Sequence, residues 1–513
     1  SLSLSEPPPS SININKNISG KCHLFWFSGQ PCKILPGLLL AVFVTCLGSS
    51  MVFGYIMASL DNTESYVKRF LKETNCLADI KNCTSVHYQS SLEFQYELLN
   101  FAYIISGTFA CICSGILADK FGRRNILIAN NIIGIIGSGC SLIIIWSNSQ
   151  LSILVSRLFL GLNSGITAVV VPLFLVEISP TVIRGAIVAG HQLSVAIGII
   201  LAHLIKMNFV LNLWNNWNKI LAFPMVMLAL SFSFLFLIPE TPRYLTSSSD
   251  SVATIKACFH YNKTQTIGEQ LNEMRKEQEI FPQKRFKFWN FFSKNHNRNG
   301  ILLSLAISAM PSLSGINAVV SYSKSIFLQL QFLEKTLEFY IFGMAVLNAI
   351  AILVGIFLIE NKGRRKLFIY SSLMCILSLF GLFIFNGVIP NYFRSTNRIL
   401  SFISLGCMIV YNISVAMGIG LIPGVVIVEL FTQASRATGF SFSLGFQWAS
   451  IYFISIFYPH INKCLPSGYI FIVFGLCIIF LLIIANFFMP ETKDQSFIQI
   501  AENLRIQKSD SLT

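Results

Sequence analysis

The sequence predicts an all-α membrane protein of twelve transmembrane helices, arranged as two pseudo-symmetric six-helix bundles. Three observations carry that expectation. Hydrophobic residues make up 54% of the chain and charged residues only 12%, which excludes an ordinary soluble protein of 513 residues. The apolar residues, 45 Phe among them, fall in runs near the roughly 20 residues a helix needs to cross a bilayer. The third observation is a set of sequence features that recurs in the same order in both halves of the chain.

The runs lie near residues 35–58, 96–118, 126–147, 151–175, 186–206, 218–238, 301–327, 337–359, 367–388, 398–430, 438–459 and 467–489. The run at 398–430 exceeds one untilted crossing. Residues 1–34 open with the polar stretch SLSLSEPPPSSININKNISG, in which no cleavable leader is read, and are expected to be a disordered cytoplasmic tail. The first bundle then spans 35–238 with an extracellular loop at 59–94. A partly helical cytoplasmic linker covers 239–300, the second bundle 301–489 and a cytoplasmic tail 490–513.

A net charge of +14 would point to nucleic acid in a soluble chain, but its distribution points to a lipid bilayer. Lys120, Arg123 and Arg124 follow the second run, ten Lys/Arg lie from Arg243 to Arg298, and Lys362, Arg364, Arg365 and Lys366 follow the eighth. Alternate basic loops mark the cytoplasmic side. The plasma membrane, crossed many times with both termini inside, is the expected location. Most of the 13 cysteines sit within apolar runs as small hydrophobes. Cys76 and Cys83 lie instead in the loop placed outside and form a candidate disulfide. Asn82, in Asn82-Cys83-Thr84, is a candidate glycosylation site on that side. The same pattern at Asn17, Asn262 and Asn412 falls at cytoplasmic or membrane positions.

The repeats are specific as an ordered set. Pro172, Glu177 and Arg184 in VVVPLFLVEISPTVIRG match Pro423, Glu429 and Arg436 in GLIPGVVIVELFTQASRATG, with Glu and Arg seven apart in both. PETPR at 239 matches PETK at 490, and DKFGRRN matches ENKGRRK. The offsets are 251 for the prolines, 252 for the glutamates, 251 for the PET starts and 241 for the GRR glycines. Parallel repeats of this kind place a substrate site near the midplane between halves that rock to alternate access.

With SRLFLG, GHQL and LSGINAVVSYS, these motifs resemble the sugar porter branch of the major facilitator superfamily, the branch containing the facilitative glucose transporters, over roughly residues 35–495. The resemblance implies facilitative transport of a hexose such as glucose, with no enzymatic activity, metal or cofactor. It also implies a cytoplasmic gate of ion pairs: Arg123, Arg124, Arg157, Glu177 and Arg184 in the first half, and Glu360, Arg364, Arg365, Glu429 and Arg436 in the second. A hexose is neutral and densely hydroxylated, so its site needs groups that donate and accept hydrogen bonds, together with aromatic faces. On a continuous helix Ser314, Asn317 and Ser321 share one face, with Ser312 close by, while Pro311 and Gly315 form a weak point. Gln192 and His203 project similarly from the fifth run. By resemblance, Gln192, Asn317 and Asn348 bind substrate, Trp448 walls the site and Tyr322 gates it from outside. The alternative for each is an interhelical hydrogen bond or a plain core role.

The chain departs from its relatives at several positions. Where the branch usually reads Gln-Gln in the seventh span, Pro311-Ser312 stand here; Gly424 replaces a Trp, Ile451 an Asn and Ala416 an acidic residue. These losses keep open another neutral solute, such as inositol or dehydroascorbate, and a sugar sensor that does not transport. Proton-driven members carry an acidic residue just after Phe-Gly-Tyr; MVFGYIMASLDN has Ile56 there, which implies uniport.

Overall fold

A bilayer core offers no water to backbone N–H and C=O groups, so only segments that satisfy their own hydrogen bonds can cross it. The long apolar runs of this chain meet that demand as helices. The computed structural model describes residues 23–27, 30–78, 86–147, 149–206, 217–248, 250–261, 268, 271–272, 274–277, 279, 295–321, 337–389, 398–433, 435–466, 468–493, 495, 497 and 499–500. Among them, twelve helices are long and apolar enough to span a membrane. The first to sixth spans are Pro36–Asn62, Ser91–Phe121, Arg123–Ile144, Gln150–Ile178, Arg184–Lys206 and Trp217–Leu235. The seventh to twelfth are Gly300–Val320, Leu337–Lys362, Arg364–Val388, Ile399–Leu430, Arg436–Tyr458 and Ile470–Phe488. This is a multi-pass membrane protein of the predicted fold class.

Side-chain burial agrees with that environment. On the twelfth span Leu476, Phe480, Ile483 and Phe487 are all exposed, a stripe at helical spacing suited to lipid tails. The fourth span is the opposite case: every residue from Asn163 to Ile178 is buried, so it lies inside its bundle. Within the first bundle the second span packs on the fourth and the first on the fifth. The most extensive packing between the bundles is second on eleventh and fifth on eighth. These two pairings exchange under the repeat, as pseudo-twofold symmetry requires.

Several helices deviate from regularity, the first, tenth and seventh among them. The first span passes through a π-turn at Cys46–Ser50. The long tenth run is one span of 32 residues with a π-turn at Val415–Ile419, before a last helix from Ile422 that carries Pro423. The seventh breaks after Leu313 and resumes at Ile316, with Gly315 at φ +82°. A Cβ on Gly315 would lie 2.4 Å from the Phe474 ring, so this break admits no side chain.

Two expectations need correction. Within the segment read as a disordered tail, His23–Phe27 pairs antiparallel with Gln30–Ile34. The aromatic run Phe25-Trp26-Phe27 favours strand, and the polar composition of the first 20 residues hid it. The loop expected at 59–94 is largely helical: the first span runs to Asn62, a helix covers Glu64–Ala78, and another starts at Val86. Its amphipathic pattern lets a polar helix dock, with Val67 and Leu71 buried beside Leu60 and Tyr96. The linker carries the helices Pro242–Ser247 and Ser251–Tyr261.

Candidate functional site

The repeated motifs converge at the end of the molecule that carries the basic loops, referred to below as the basic end. GRR starts a helix in each half, and the four first N–H groups of a helix lack partners within it. Glu240 of PETPR accepts the Arg123 and Arg124 amides at 3.1 and 3.0 Å. Glu491 of PETK accepts those of Arg364 and Arg365 at 2.9 and 3.2 Å. Each carboxylate thus caps the helix of a neighbouring motif, where the helix dipole also favours negative charge. Burial pushes the Glu240 carboxyl up, against the pull of the Arg124 and Thr241 amides. The glycine before each helix has φ +93° and +88°, and a Cβ there would come within 2.4 Å of Glu240 and 2.6 Å of Glu491. Glycine is required twice over, by backbone conformation and by space.

The first-half gate forms around Glu177. Arg123 reaches Glu177 Oε1 at 2.9 Å and Asp119 at 2.9 Å, and Thr241 donates to Glu177 Oε2 at 2.5 Å. In the second half Arg364 stands 3.6 Å from Glu360 and 3.5 Å from Glu429. All these groups except Asp119 are buried. The halves are joined there as well. Glu360 accepts the backbone N–H of Ala186 at 2.8 Å, so a carboxylate of the eighth span sits on the N-terminus of the fifth.

Three expected gate residues do not join these carboxylates. Arg157 is twenty residues from Glu177 on the same helix, about 30 Å away at 1.5 Å per residue. It stacks instead on Tyr103, 4.5 Å from the ring centroid; its motif marks the far end of the fourth span, which counting spans would have revealed. At the basic end, the Arg124 and Arg365 side chains meet no gate carboxylate among the described residues. Arg124 caps the Leu235 and Phe236 carbonyls, and Arg365 caps that of Asn486 at 2.6 Å. They tie the GRR helices to the ends of the sixth and twelfth spans.

Arg184 and Arg436 are at the basic end, in a cluster built partly by residues the motifs did not flag. Glu277 of the linker pairs with Arg243 and stands 3.5 Å from Arg436, while also accepting the Gln433 amide at 3.0 Å. Burial opposes its charge, but Arg243 and Arg436 outweigh that and hold its carboxyl below the usual glutamate value. Phe497 of the C-terminal tail is buried between three guanidiniums, 4.1 Å from Arg184, 4.7 Å from Arg243 and 3.8 Å from Arg436. Linker and tail thus bridge the bundles. The PET repeat was a legible signal for Glu240 and Glu491; nothing local distinguishes Glu277 or Phe497.

Toward mid-span the candidate substrate residues separate into two groups. Gln192 on the fifth span and Asn317 on the seventh are half-buried, and neither amide has a hydrogen-bond partner among the described residues. His203 is also half-buried. Trp448 is buried, its ring 5.7 Å from Tyr103 and 6.0 Å from Phe53, so an eleventh-span aromatic leans on the first bundle. Asn348 is half-buried and donates to Asn412 Oδ1 at 2.9 Å. By contrast, Ser312 and Ser314 are fully buried and donate to the carbonyls of Gln447 and Pro311. The break at Gly315 ends the continuous face on which Ser314 was expected to join Asn317. Tyr411 of the tenth span holds that break, donating to the Ser314 carbonyl at 2.8 Å. Tyr322, Asn82 and Cys83 lie outside the described residues, as does the side chain of Cys76.

Comparison with known proteins supplies the frame for this geometry. The rat solute carrier family 2, facilitated glucose transporter member 5 is 28% identical over 473 residues, covering 91% of this chain and 92% of the relative. Member 3 of the same human family is 28% identical over 475 residues, covering 91% and 92%. Among solved structures, the proton:xylose symporter XylE bound to 6-bromo-6-deoxy-D-glucose matches with a TM-score of 0.77 at 18% identity, over 91% of this chain and 99% of that one. The inward-open conformation of XylE from E. coli matches with a TM-score of 0.65 at 19% identity, over 91% and 99%. At such identities the likeness shows the fold. The model of the sugar (and other) transporter family matches residues 41–504, and the chain belongs to that family.

Proposed function

We propose that this protein moves a hexose such as glucose down its gradient by alternating access, as a uniporter of the plasma membrane with its basic end and both termini in the cytoplasm. The observation that carries this reading is a pair of half-buried amides without a hydrogen-bond partner among the described residues: Gln192 from one bundle and Asn317 from the other. Neither amide is among the fully buried polar atoms, so each can exchange water for a substrate hydroxyl, a hydrogen bond worth about 0.5–1.5 kcal/mol. A hydroxylated solute between the bundles gains such bonds from both halves at once. Asn348 and the Trp448 face complete the contacts, and the substrate then stabilises a form in which both halves grip it.

The contacts at the basic end close one access route, and their release opens it. Their differential strength has to stay within a few kcal/mol, because a larger gap would trap one conformation. Ile56 is fully buried where proton-driven relatives place an acid, so no protonatable group stands at that position. Glycosylation at Asn82 and a Cys76–Cys83 disulfide belong to the same topology, on the outer side.

One observation favours a different neutral solute, such as inositol or dehydroascorbate. Ser312 and Ser314 turn to backbone carbonyls, leaving the seventh span with fewer groups for a sugar. Uptake of labelled glucose, fructose and galactose in a transporter-null host separates the readings. Saturable, protonophore-insensitive uptake of a hexose supports the proposal, with Gln192→Ala raising KM roughly tenfold at unchanged surface amount. No hexose uptake alongside transport of a polyol replaces the substrate, and sugar binding without uptake of any solute indicates a sensor.

A further inference from the structure

We infer that Asn412 is the positioning residue that fixes which way the Asn348 amide faces, making the Asn348 oxygen available to accept a hydrogen bond from a substrate hydroxyl. The inference rests on the proposal that Asn348 contacts substrate. Asn412 lies on the tenth span, 6% exposed, and its carboxamide engages the eighth span twice. Its Nδ2 donates to the Met344 carbonyl at 3.0 Å, and its Oδ1 accepts from Asn348 Nδ2 at 2.9 Å. Met344 stands one helical turn before Asn348 on the same span, so the contact is a two-point clip between helices.

The polarity of the clip follows from chemistry. A backbone carbonyl can only accept, so the nitrogen of Asn412 has to face Met344. The oxygen of Asn412 is then turned to Asn348, and an oxygen requires a donor opposite, which only the nitrogen of Asn348 supplies. Two amides that are separately free to flip are therefore locked by one carbonyl. Among the described residues nothing else binds the Asn348 amide, which keeps its oxygen and a single N–H for substrate. Without Asn412 the amide rotates freely, and the substrate has to select the productive orientation itself, which weakens binding more than turnover.

The test uses the full chain in a transporter-null host, with Asn348→Leu, Asn412→Leu and the double variant, each corrected for surface amount. Asn412→Leu is expected to raise the hexose KM roughly three- to tenfold with kcat within about twofold. Added to Asn348→Leu it is expected to change KM no further, because its effect passes through Asn348. A second measurement needs no variant in the clip: competition by monodeoxy and monodeoxyfluoro forms of the transported hexose on the unmodified protein. At one ring position both forms are expected to weaken equally, since fluorine cannot donate to the Asn348 oxygen, and Asn348→Leu is expected to erase that loss. The inference is overturned by itself if Asn348→Leu raises KM while Asn412→Leu leaves it unchanged. It is also overturned if fluorine restores binding at the position that Asn348→Leu identifies. If Asn348→Leu leaves KM unaltered, or no hexose is taken up, the functional reading falls and takes this one with it.

Discussion

At the scale of the residue, the GRR glycines show how a cheap-looking motif acquires meaning. Gly122 and Gly363 each hold a positive φ directly beneath a half-buried glutamate that caps the next helix. A side chain there strains the backbone by about 1–2 kcal/mol and pushes the carboxylate off its amides. Gly122→Ala and Gly363→Ala are each expected to lower thermal stability of the purified protein in detergent by several degrees, with the double variant adding both losses. Equal stability of the glycine and alanine forms would remove the capping account. The motif spacing made these glycines legible, whereas their partners Glu240 and Glu491 were read only as repeat markers. Arg157 was grouped with the gate by resemblance, although it opens the fourth span at the end opposite Glu177.

At the scale of the element, the fifth and eighth spans meet at the basic end through Glu360, which Arg364 and the Ala186 amide both hold. Arg364 also faces Glu429, so a single guanidinium neutralises two buried carboxylates. Removing one member of a buried pair costs about 3–5 kcal/mol because the other charge is left alone. Arg364→Ala is expected to penalise the form closed at the basic end by roughly that amount and to populate the form open there. A cysteine placed on the fifth span near Gly185 then reacts faster with a thiol reagent applied from the basic side. Unchanged labelling would show that the cluster fixes helix packing rather than the state of the gate. The existence of all twelve spans was legible from hydropathy, but the break in the seventh was legible only as a weak point. Whether Ser314 faces the same way as Asn317 depends on the helix being continuous, and Gly315 decides that it is not.

At the scale of the whole molecule, the C-terminal tail joins the two bundles. Phe497 is enclosed by Arg184 of the first half, Arg243 of the linker and Arg436 of the second half. A desolvated cation over an aromatic ring is worth about 2 kcal/mol, and here one ring serves three. Phe497→Ala is expected to weaken the closed basic end and to alter the ratio of inward to outward maximal flux several-fold, while KM for net equilibrium exchange shifts less. Trp in its place should restore the ratio, because it keeps the face of the ring. If Phe497→Ala lowers surface amount alone and leaves both fluxes in proportion, the tail is packing and nothing more.

Hydropathy, basic loops and repeat spacing by themselves determined the membrane class, the span count, the two-bundle plan and most of the charged end, because each is a one-dimensional signal imposed by the bilayer or by duplication. Only the tertiary structure decided which charges meet, since a guanidinium takes whichever carbonyl or carboxylate the packed helices bring within about 3 Å. Thus Arg124 went to carbonyls, Glu277 arrived from the linker and Asn412 locked onto Asn348, none of which sequence distance encodes.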